Sequence, residues 1–534
     1  MNGKDMCGGD QILEQLPADV ADKLKVYDRK SELARHTGND DGAEEQVLDI
    51  QVKPGFLEKW YGDIEAQYQT KKRYSAAITA SRLSDQDPHM IYAQANNANR
   101  YVDKTIGSTS NRNIDGDGKS QYGSYNYQHN WQTKGTQQYT SNRFNISANM
   151  GHSDGWNSGK ASTETFFPNQ EHTFGVKDTY RYKHNLKPQL EAKLFAYTDS
   201  ANTIDVKVKA SYEKARKSYE EKSASYGYQP DQFAYHSLKE ALSAKPGDAL
   251  YDRLITRDSE YESTELQQRG LNISYAWKHF IGKKGSFTLG GYTNLSGTNE
   301  DTHTNHDVEY LREQRNEKLW QFYDRSAHEL ETQLGASFDY WLGKKVYFNV
   351  FDNVRLNRSR IARNFFSDTD EQNVVGGTPT TADPANTTRR LTHKWTNELT
   401  VKSTITPVKA LMIMPKFSWN YSREKANFHY GPLDTTAVRT SNTYEPSIFL
   451  KWKMSRVRNM DIAFAYNTTV PDLVSTLGYR NTIDPLHIYM GNPLLRNSHS
   501  HTTTYNYHRM WLRKQIVLGF TASYNKDINP EATL

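Results

Sequence analysis

The sequence holds one cysteine, Cys7, in its 534 residues, so an internal disulfide framework is excluded. It also lacks any run close to the about 18 consecutive apolar residues that a membrane-spanning helix requires. The mean hydropathy of −0.87 is too polar for a helical membrane protein. Pro-rich linkers, Gly/Ser tethers and blocks of like charge are missing as well, which favours one large architecture over several tethered domains.

Two further absences limit the function. The formal net charge of +5 is spread along the chain without a basic stripe, so we expect no nucleic-acid partner. The chain shows no oriented set of acid, base and nucleophile, and no Gly-rich phosphate loop. The sequence therefore predicts a protein that is not an enzyme and that needs no cofactor.

The chain is rich in aromatic residues and in runs where apolar and polar residues strictly alternate. It contains 35 Tyr and 10 Trp. From Trp60 onward, apolar and polar residues alternate in successive runs, such as "WYGDIEAQY" from Trp60 and "IDVKVKASY" from Ile204. We count roughly sixteen to eighteen runs of about ten residues, and alternation over about 9–11 residues is what a tilted transmembrane strand requires.

The connections between these runs predict the architecture. Tight turns such as "GKK", "TKK" and "TPVK" alternate with long polar excursions, which cover 97–120, 219–269, 298–330 and 358–390. Short turns on one side and long loops on the other are typical of outer-membrane barrels. A soluble β-sandwich, which usually has shorter strands and loops at both ends, remains the alternative. The prediction is an all-β, antiparallel transmembrane β-barrel.

The N-terminal part of the chain has a different pattern. A short helix is predicted from about Pro17, with Asp19 and Asp22 in its opening turns. A strand through Leu24 and Val26 follows, and a second strand covers Val47 to Val52. This part is predicted to be a small α+β unit.

Three stretches carry a resemblance to a known family. "LPADVADKLKVYDRKSELARHTGNDDGAEEQVLDIQVKPGF" resembles the later part of the plug of TonB-dependent outer-membrane receptors, and more closely that of outer membrane β-barrel proteins related to SusC-like transporters. "WYGDIEAQYQTKKRYSAAITASRLSDQDPHMIYAQANNAN" is similar to that group's first barrel hairpins, and "DPLHIYMGNPLLRNSHSHTTTYNYH" to its NP-x-L turn. The resemblance implies that 1–53 form the distal part of a plug and 54–534 an outer-membrane barrel.

The resemblance also implies a function. Such a protein lies in the outer membrane of a Gram-negative bacterium, in contact with its lipid, and takes up a glycan, a peptide or a metal chelate. It depends on the TonB energy-coupling complex, and it can carry a surface lipoprotein lid of the SusD type. The alternative, from a different class, is a surface-exposed β-structured protein that binds or adheres without transport.

The chain departs from the family at both ends. A signal peptide, a TonB box and the front of the plug are not recognisable, and the sequence stops at "NPEATL", in what reads as a turn. Such barrels have about 22 strands, more than the runs counted here. We therefore expect a fragment that forms an incomplete barrel with its C-terminal strands missing.

Two weak metal-like patterns are present, and we expect neither to bind a metal. Asn113, Asp115 and Asp117 match the first half of a calcium loop, but Ser124 occupies the position of its bidentate Glu. His499 and His501 share one strand face without an apparent third ligand. We interpret the first group as a polar loop and the second as histidines of the lumen or a loop.

Other residues are assigned by their place in a barrel. Asp205, Lys207 and Lys209 share one strand face and are predicted to line a watery lumen, because lysines on a lipid face would be costly. Five tryptophans near strand ends are predicted to form aromatic girdles, with sugar-stacking platforms as the alternative. They are Trp60, Trp277, Trp341, Trp419 and Trp452.

Overall fold

The computed structural model of the chain describes most of its residues, and these are almost entirely β-structure. The described ranges are 20–38, 44–53, 55–98, 100–105, 108–113, 117–133, 142–168, 172–228, 236–481, 489–511 and 515–529. Neither of the α-helices within these ranges has the length and apolar character needed to cross a bilayer.

The N-terminal unit is a two-stranded sheet with one short helix. Strand β1 (Ala21–Lys30) pairs antiparallel with β2 (Glu44–Val52), as the sequence predicts. Helix α1 (Glu32–Thr37) lies between them and begins after Ser31, whose hydroxyl accepts a hydrogen bond from the Ala34 amide at 2.9 Å. The predicted helix is therefore wrong at Asp22, because Asp22 belongs to β1; Pro17 and Asp19 lie outside the described residues.

In the described part of the chain after the N-terminal unit, seventeen strands form one large antiparallel sheet, within the predicted sixteen to eighteen. Its strands are β3 (Lys59–Gln69), β4 (Arg73–Leu83), β5 (His89–Asn96), β8 (Asp117–Trp131), β9 (Asn142–Phe166), β10 (His172–Tyr197), β11 (Asn202–Tyr228), β12 (Leu254–Ile281), β13 (Gly285–Tyr310), β14 (Arg315–Leu342), β15 (Val346–Asp368), β18 (Thr388–Val408), β19 (Leu411–Tyr430), β20 (Leu433–Ser455), β21 (Arg458–Thr469), β24 (Ser498–Trp511) and β25 (Ile516–Ile528).

Smaller elements occupy the connections. They are the strand pairs β6 (Arg100–Thr105) with β7 (Ser108–Asn113), β16 (Val374–Val375) with β17 (Thr378–Pro379) and β22 (Arg480–Asn481) with β23 (Tyr489–Met490), and helix α2 (Leu238–Ser243).

The strand order is that of a barrel in which β25 comes round next to β3. Each strand pairs with its neighbours from β3 through to β25. Among the described residues no hydrogen-bonded register joins β25 to β3, and every residue of β25 is exposed. The fold is thus a large antiparallel sheet with barrel order whose closing pair forms no described ladder.

Many strands are far longer than the predicted ten residues. The segment 298–330, predicted as a loop, instead continues β13 and β14, and only 311–314 connects them. Polarity on both faces does not stop the ladder, because the backbone groups of both strands remain paired whatever the side chains are.

The strands run up and down, so their connections alternate between two ends of the sheet. We name one the short-turn end, defined by the connections 198–201, 282–284, 343–345, 409–410 and 456–457. The opposite, far end carries the long connections 229–253, 369–387 and 470–497, but also short ones at 70–72, 311–314 and 431–432. The predicted division into short and long connections therefore holds at the short-turn end and only in part at the far end.

The turn at 70–72 contains residues in a conformation that favours glycine. Lys71 and Lys72 have φ of 61° and 59°. A side chain in this left-handed region costs about 1–2 kcal/mol, part of which returns as the entropy lost by glycine. We expect Lys72→Gly to stabilise the folded protein by up to about 1 kcal/mol, measured by urea unfolding. Thr70→Gly, at a position without positive φ, is the control and is expected to destabilise.

Helix α2 covers one corner of the sheet at the far end. Its N-terminus is closed by a capping box, in which Ser237 and Glu240 each bond the other's backbone amide. Leu238 and Ala241 are buried against a cluster on β10 to β12. The members from those strands are Phe174, Val176, Ala224, Tyr226, Tyr228 and Leu254.

Candidate functional site

The two faces of the large sheet are inverted relative to a soluble protein. Leu190, Leu334 and Leu356 are 51%, 50% and 53% exposed, whereas Glu191 and Ser418, on the opposite face, are 5% and 1% exposed. We name these the apolar face and the polar face. Soluble domains usually bury large apolar side chains and leave carboxylates in water, so this arrangement is the reverse of theirs.

The strand register makes the apolar face continuous. Ala210 lies opposite Leu271, Leu271 opposite Leu295, and Leu295 opposite Leu330. Leu295 and Leu330 are 42% and 40% exposed. Because paired positions share a face, one apolar row crosses four strands without interruption.

The polar face carries the residues predicted for the lumen. Asp205, Lys207 and Lys209 alternate with the apolar residues of β11 and so belong to the polar face. Lys207 lies 3.3 Å from the Glu191 carboxylate, and Lys193 lies 2.7 Å from it. Glu191 is thus buried between two ammonium groups, while a role of these residues in a wet lumen stays a prediction.

A second polar network lies on β13 to β15. Tyr292 donates to the Glu331 carboxylate at 2.7 Å, and Arg355 lies 3.4 Å from the same group. Arg355 also donates to the Gln333 side-chain oxygen at 3.0 Å. Phenol, guanidinium and amide groups held in this way form a preorganised polar wall.

One connection at the far end folds onto the polar face. Leu473 and Val474, between β21 and β24, are buried against Phe428 and Tyr430 of β19. The Tyr479 ring packs on both aromatic rings, with centroids 5.4 and 5.5 Å apart. We name residues 470–479 the inner loop.

Ion pairs hold the inner loop at its start. Arg390 of β18 donates to both oxygens of Asp472, at 2.8 and 2.9 Å. Arg439 of β20 donates to the Pro471 carbonyl at 2.6 Å and lies 3.3 Å from buried Glu424. Bidentate arginine pairs fix orientation as well as position, so the loop is anchored to three strands.

The predicted calcium-like residues are not shown as one site. Asn113 ends β7, Asp115 lies outside the described residues, and Asp117 begins β8. The Asp117 carboxylate forms an ion pair with Arg73 of β4. That these residues bind no calcium stays a prediction.

The histidine pair on β24 has hydroxyl neighbours. His499 Nδ1 lies 2.8 Å from the Tyr466 hydroxyl and 3.1 Å from the Thr468 hydroxyl. The His501 and Tyr466 rings have centroids 4.9 Å apart. The expectation that the two histidines hold no metal is not tested by these contacts.

A different three-residue group does bring metal-ligand types together, and the sequence reading missed it. Ligand atoms of His152, Asp154 and His184 all lie within 4.8 Å of one another. His184 Nδ1 is 2.7 Å and His152 Nε2 is 3.7 Å from the carboxylate of Asp154, which also accepts from Tyr182 at 3.1 Å. Two imidazoles and a carboxylate could hold a transition metal with water as a fourth ligand. Only the register that sets His184 opposite Asp154 unites them, so no sequence spacing could show it.

Four of the five predicted girdle tryptophans lie on the apolar face. Trp60, Trp277 and Trp452 are 55%, 40% and 42% exposed. Trp419 is half-buried, and its Nε1 donates to the Asn442 side chain at 3.3 Å. Their role as membrane anchors stays a prediction.

Trp341 differs from the prediction. It is 4% exposed and packs with Tyr197, Phe280 and Tyr347. The apolar residue before it, Tyr340, takes the apolar face, so alternation turns Trp341 to the opposite face. Proximity to a strand end was therefore not enough to assign it to a girdle.

The acidic residues of "SDTDEQN" order the connection 369–387. Asp370 caps a short 3-10 turn by accepting from the Gln372 amide at 3.0 Å. Asp368 accepts from the Asp370 amide at 2.9 Å and from the Thr381 hydroxyl. These bonds to the charged form, that from Thr381 first, hold the pKa of Asp368 below its ordinary value of 3.8.

This hydrogen bonding predicts acid sensitivity. A carboxyl group whose pKa is lowered by folding stabilises the fold above its unfolded pKa and ceases to do so as pH falls through the folded pKa. We expect hydrogen exchange in 369–387, corrected for its intrinsic rate, to be less protected at pH 3 than at pH 6. Thr381→Val should weaken this dependence. Thr380→Val removes a hydroxyl bonded to the Asn373 carbonyl and should act equally at both pH values.

Comparisons with known proteins give distant structural likeness. No protein-family model and no curated protein matches the chain. Similar solved structures include the RagAB peptide transporter, with TM-score 0.30 and 9% identity over 90% of this chain and 76% of that one. The copper transporter OprC gives 0.22 and 9% over 98% and 89%. The outer membrane transporter YddB from Escherichia coli gives 0.20 and 8% over 95% and 84%. At these values the likeness does not by itself establish a function.

Proposed function

We propose that the chain belongs to an outer-membrane receptor that takes up a ligand in a TonB-dependent manner. The observation that carries the proposal is the inversion of the two faces: many large apolar side chains of the apolar face are exposed, whereas polar residues such as Glu191 and Ser418 are buried on the opposite face. Acyl chains are the medium that would accept such a surface over a seventeen-strand antiparallel sheet.

The contacts of the N-terminal unit support its assignment as part of a plug. The His36 ring of α1 stacks on Phe280 with centroids 4.1 Å apart and planes at 18°. Phe280 belongs to the same buried cluster as Trp341, on the polar face near the short-turn end. We infer that residues 1–53 are the distal part of a plug inside the sheet that 54–534 form.

The chemistry of the polar face indicates the broad class of ligand. The polar face offers carboxylates, guanidinium groups and phenols held in networks, which suit a polar cargo such as a glycan, a peptide or a metal chelate. The inner loop lies on this face at the far end, where cargo would enter. The implied partners are the TonB complex and, at the far end, a surface lipoprotein of the SusD type.

Membrane location and energy coupling test the proposal. The chain, expressed within its complete locus, should float with outer membranes on a density gradient. Uptake of labelled oligopeptides, malto-oligosaccharides or a ferric catecholate should be measured with and without the coupling protein. We expect one class to be taken up and its uptake to vanish without coupling. Recovery of the protein in soluble form without detergent would contradict the proposal.

The same experiment addresses the second candidate, a surface protein that binds or adheres without transport. Its supporting observation is the anchoring of the inner loop by Arg390 and a buried cluster, which would suit a fixed binding surface. Flotation with the outer membrane, binding of a probe, and no effect of the coupling protein would favour this candidate.

A further inference from the structure

A groove of about 560 Å³ opens on the apolar face. It extends across five neighbouring strands, β14, β15, β18, β19 and β20. The register forms it from two parallel rows of side chains. One row is Thr332, Leu356, Trp395 and Arg423, and the other is Leu330, Arg358, His393, Lys425 and Val438. Since paired positions share a face, all of these side chains lie on the apolar face.

The groove lies where the apolar face changes character along the strands. On β15, the apolar face carries Val350 and Val354 toward the short-turn end, then Leu356, and then Arg358 and Arg360 toward the far end. Along β15 the groove thus changes from apolar to cationic toward the far end, and Leu330 and Val438 border the cations on β14 and β20. This order matches the passage from acyl chains to head groups in one leaflet.

Three cations of the groove have no anionic partner. Within the described part of the chain, Arg358, Arg423 and Lys425 are exposed and make no ion pair. Arg390 and Arg439, on the polar face of the same strands, are by contrast paired with Asp472 and Glu424. The cations of the groove are therefore available to an external anion.

The nearby carboxylates cannot neutralise them. Glu329, Glu331 and Glu424 belong to the polar face, on the other side of the sheet. Asp352 is on the apolar face toward the short-turn end, where Asn397 donates to it at 2.8 Å. The groove therefore has a net positive charge above an apolar floor.

The floor suits hydrocarbon. Val438, Leu356 and Leu330 are 54%, 53% and 40% exposed. The Trp395 ring stands edge-on to Tyr421 with centroids 5.3 Å apart, so two aromatic rings border the apolar part. Amphipathic rings at this depth are typical of the boundary between acyl chains and head groups.

The number of the cations and their spread over two strands indicate more than one phosphate. Arg358 lies on β15 and Lys425 on β19, two strands apart, which is roughly 10 Å of sheet. A single phosphate monoester carries a charge of about −2 at most, which is less than the three positive charges of Arg358, Arg423 and Lys425. A head group with two separated phosphates matches the span, and its acyl chains would extend along the floor.

We infer that this groove binds a bisphosphorylated glycolipid of the outer leaflet, with phosphates on Arg358, Arg423 and Lys425 and acyl chains on Leu330, Leu356 and Trp395. The inference rests on the membrane location in the proposed function. It adds a lipid ligand on the outside of the sheet, separate from any cargo on the polar face.

The test uses the whole chain in detergent and native mass spectrometry, with hexa-acyl lipid A as the probe. The variant Arg358→Gln/Arg423→Gln/Lys425→Gln should bind it roughly 100-fold more weakly, about fivefold for each cation. Lipid A without phosphates should bind the unaltered protein as weakly as the bisphosphorylated form binds the variant. Inorganic phosphate should not compete, because it lacks the acyl chains.

A matched control removes the same charge elsewhere. Lys283→Gln/Lys344→Gln/Lys409→Gln changes three exposed lysines of turns at the short-turn end and should leave binding unchanged. An equal loss in both triple variants, or no loss in the first, would overturn the inference. Because all six side chains are exposed, folding should persist, which the mobility shift of unheated protein in SDS gels verifies.

The two proposals fail in different ways. If the protein does not float with outer membranes, its membrane location is wrong. If the protein and both triple variants float equally but bind lipid A equally, only the glycolipid site is wrong. Trp395→Ala adds an independent check, because it should weaken binding of both lipid A forms by the same factor.

Discussion

Leu334→Lys is expected to destabilise the folded protein in a lipid bilayer by about 2–4 kcal/mol, because its ammonium group would face hydrocarbon near mid-depth. Leu334 is half exposed on the apolar face of β14, between the short-turn end and the groove. The measurement is the free energy of unfolding in lipid vesicles from urea titration. An exposed Leu→Lys change on a water-facing surface would instead lie within about 0.5 kcal/mol of zero.

Two control substitutions on β14 separate the effect of depth in the membrane from the effect of the sheet face. Leu342→Lys, at the short-turn end, should cost only about 0–1 kcal/mol, because a lysine there can reach the interface. Gln333→Lys, on the polar face, should avoid the lipid penalty and cost only the hydrogen bonds that Arg355 donates to the Gln333 side chain, about 1–2 kcal/mol. Equal small effects at all three positions would show that the apolar face does not contact lipid and would remove the basis of the transport proposal.

Leu473→Asp is expected to release the inner loop. Leu473 is 4% exposed among Phe428, Tyr430 and Val474, so the change would bury a carboxylate without a partner and remove apolar contacts. The combined cost is about 3–5 kcal/mol, which exceeds what one ion pair at Asp472 can offset. The readout is hydrogen exchange of residues 470–479, which should lose protection while the strands keep theirs.

Ser475→Asp is the matched control for the loop, since Ser475 is only half-buried and lies outside that cluster. It should leave protection of the loop nearly unchanged. If the loop restricts access to the polar face, Leu473→Asp should also raise ion conductance through the protein in planar bilayers. Unchanged exchange in Leu473→Asp would mean that Arg390 and Arg439 alone hold the loop.

Much of the fold could be predicted from local pattern. Alternation identified the strands of β11, β12 and β15 and the faces of Asp205, Lys207 and Lys209, because the side-chain period of a strand is fixed at two. The same pattern gave the approximate number of strands. It failed where both faces are polar, as in 298–330, since alternation vanishes there while backbone pairing continues.

The candidate sites could not be predicted from the alternation of apolar and polar residues alone. Trp341 was assigned to a girdle from its place near a strand end, but it faces the buried cluster with Tyr197 and Phe280. The group of His152, Asp154 and His184 was not recognised, because its members come from two strands. Neither result could come from composition or from spacing along one strand.

The sequence by itself determined the strand-rich class, the two-faced character of the alternating strands and the tight turns, since these depend on residues close together in the chain. The tertiary structure alone decided which residues of different strands share a row, how the inner loop packs on the polar face, and that Arg358, Arg423 and Lys425 gather around one apolar groove. The physical reason is that cross-strand neighbours are set by register and by the lengths of the connections, which bring together residues that the sequence keeps far apart.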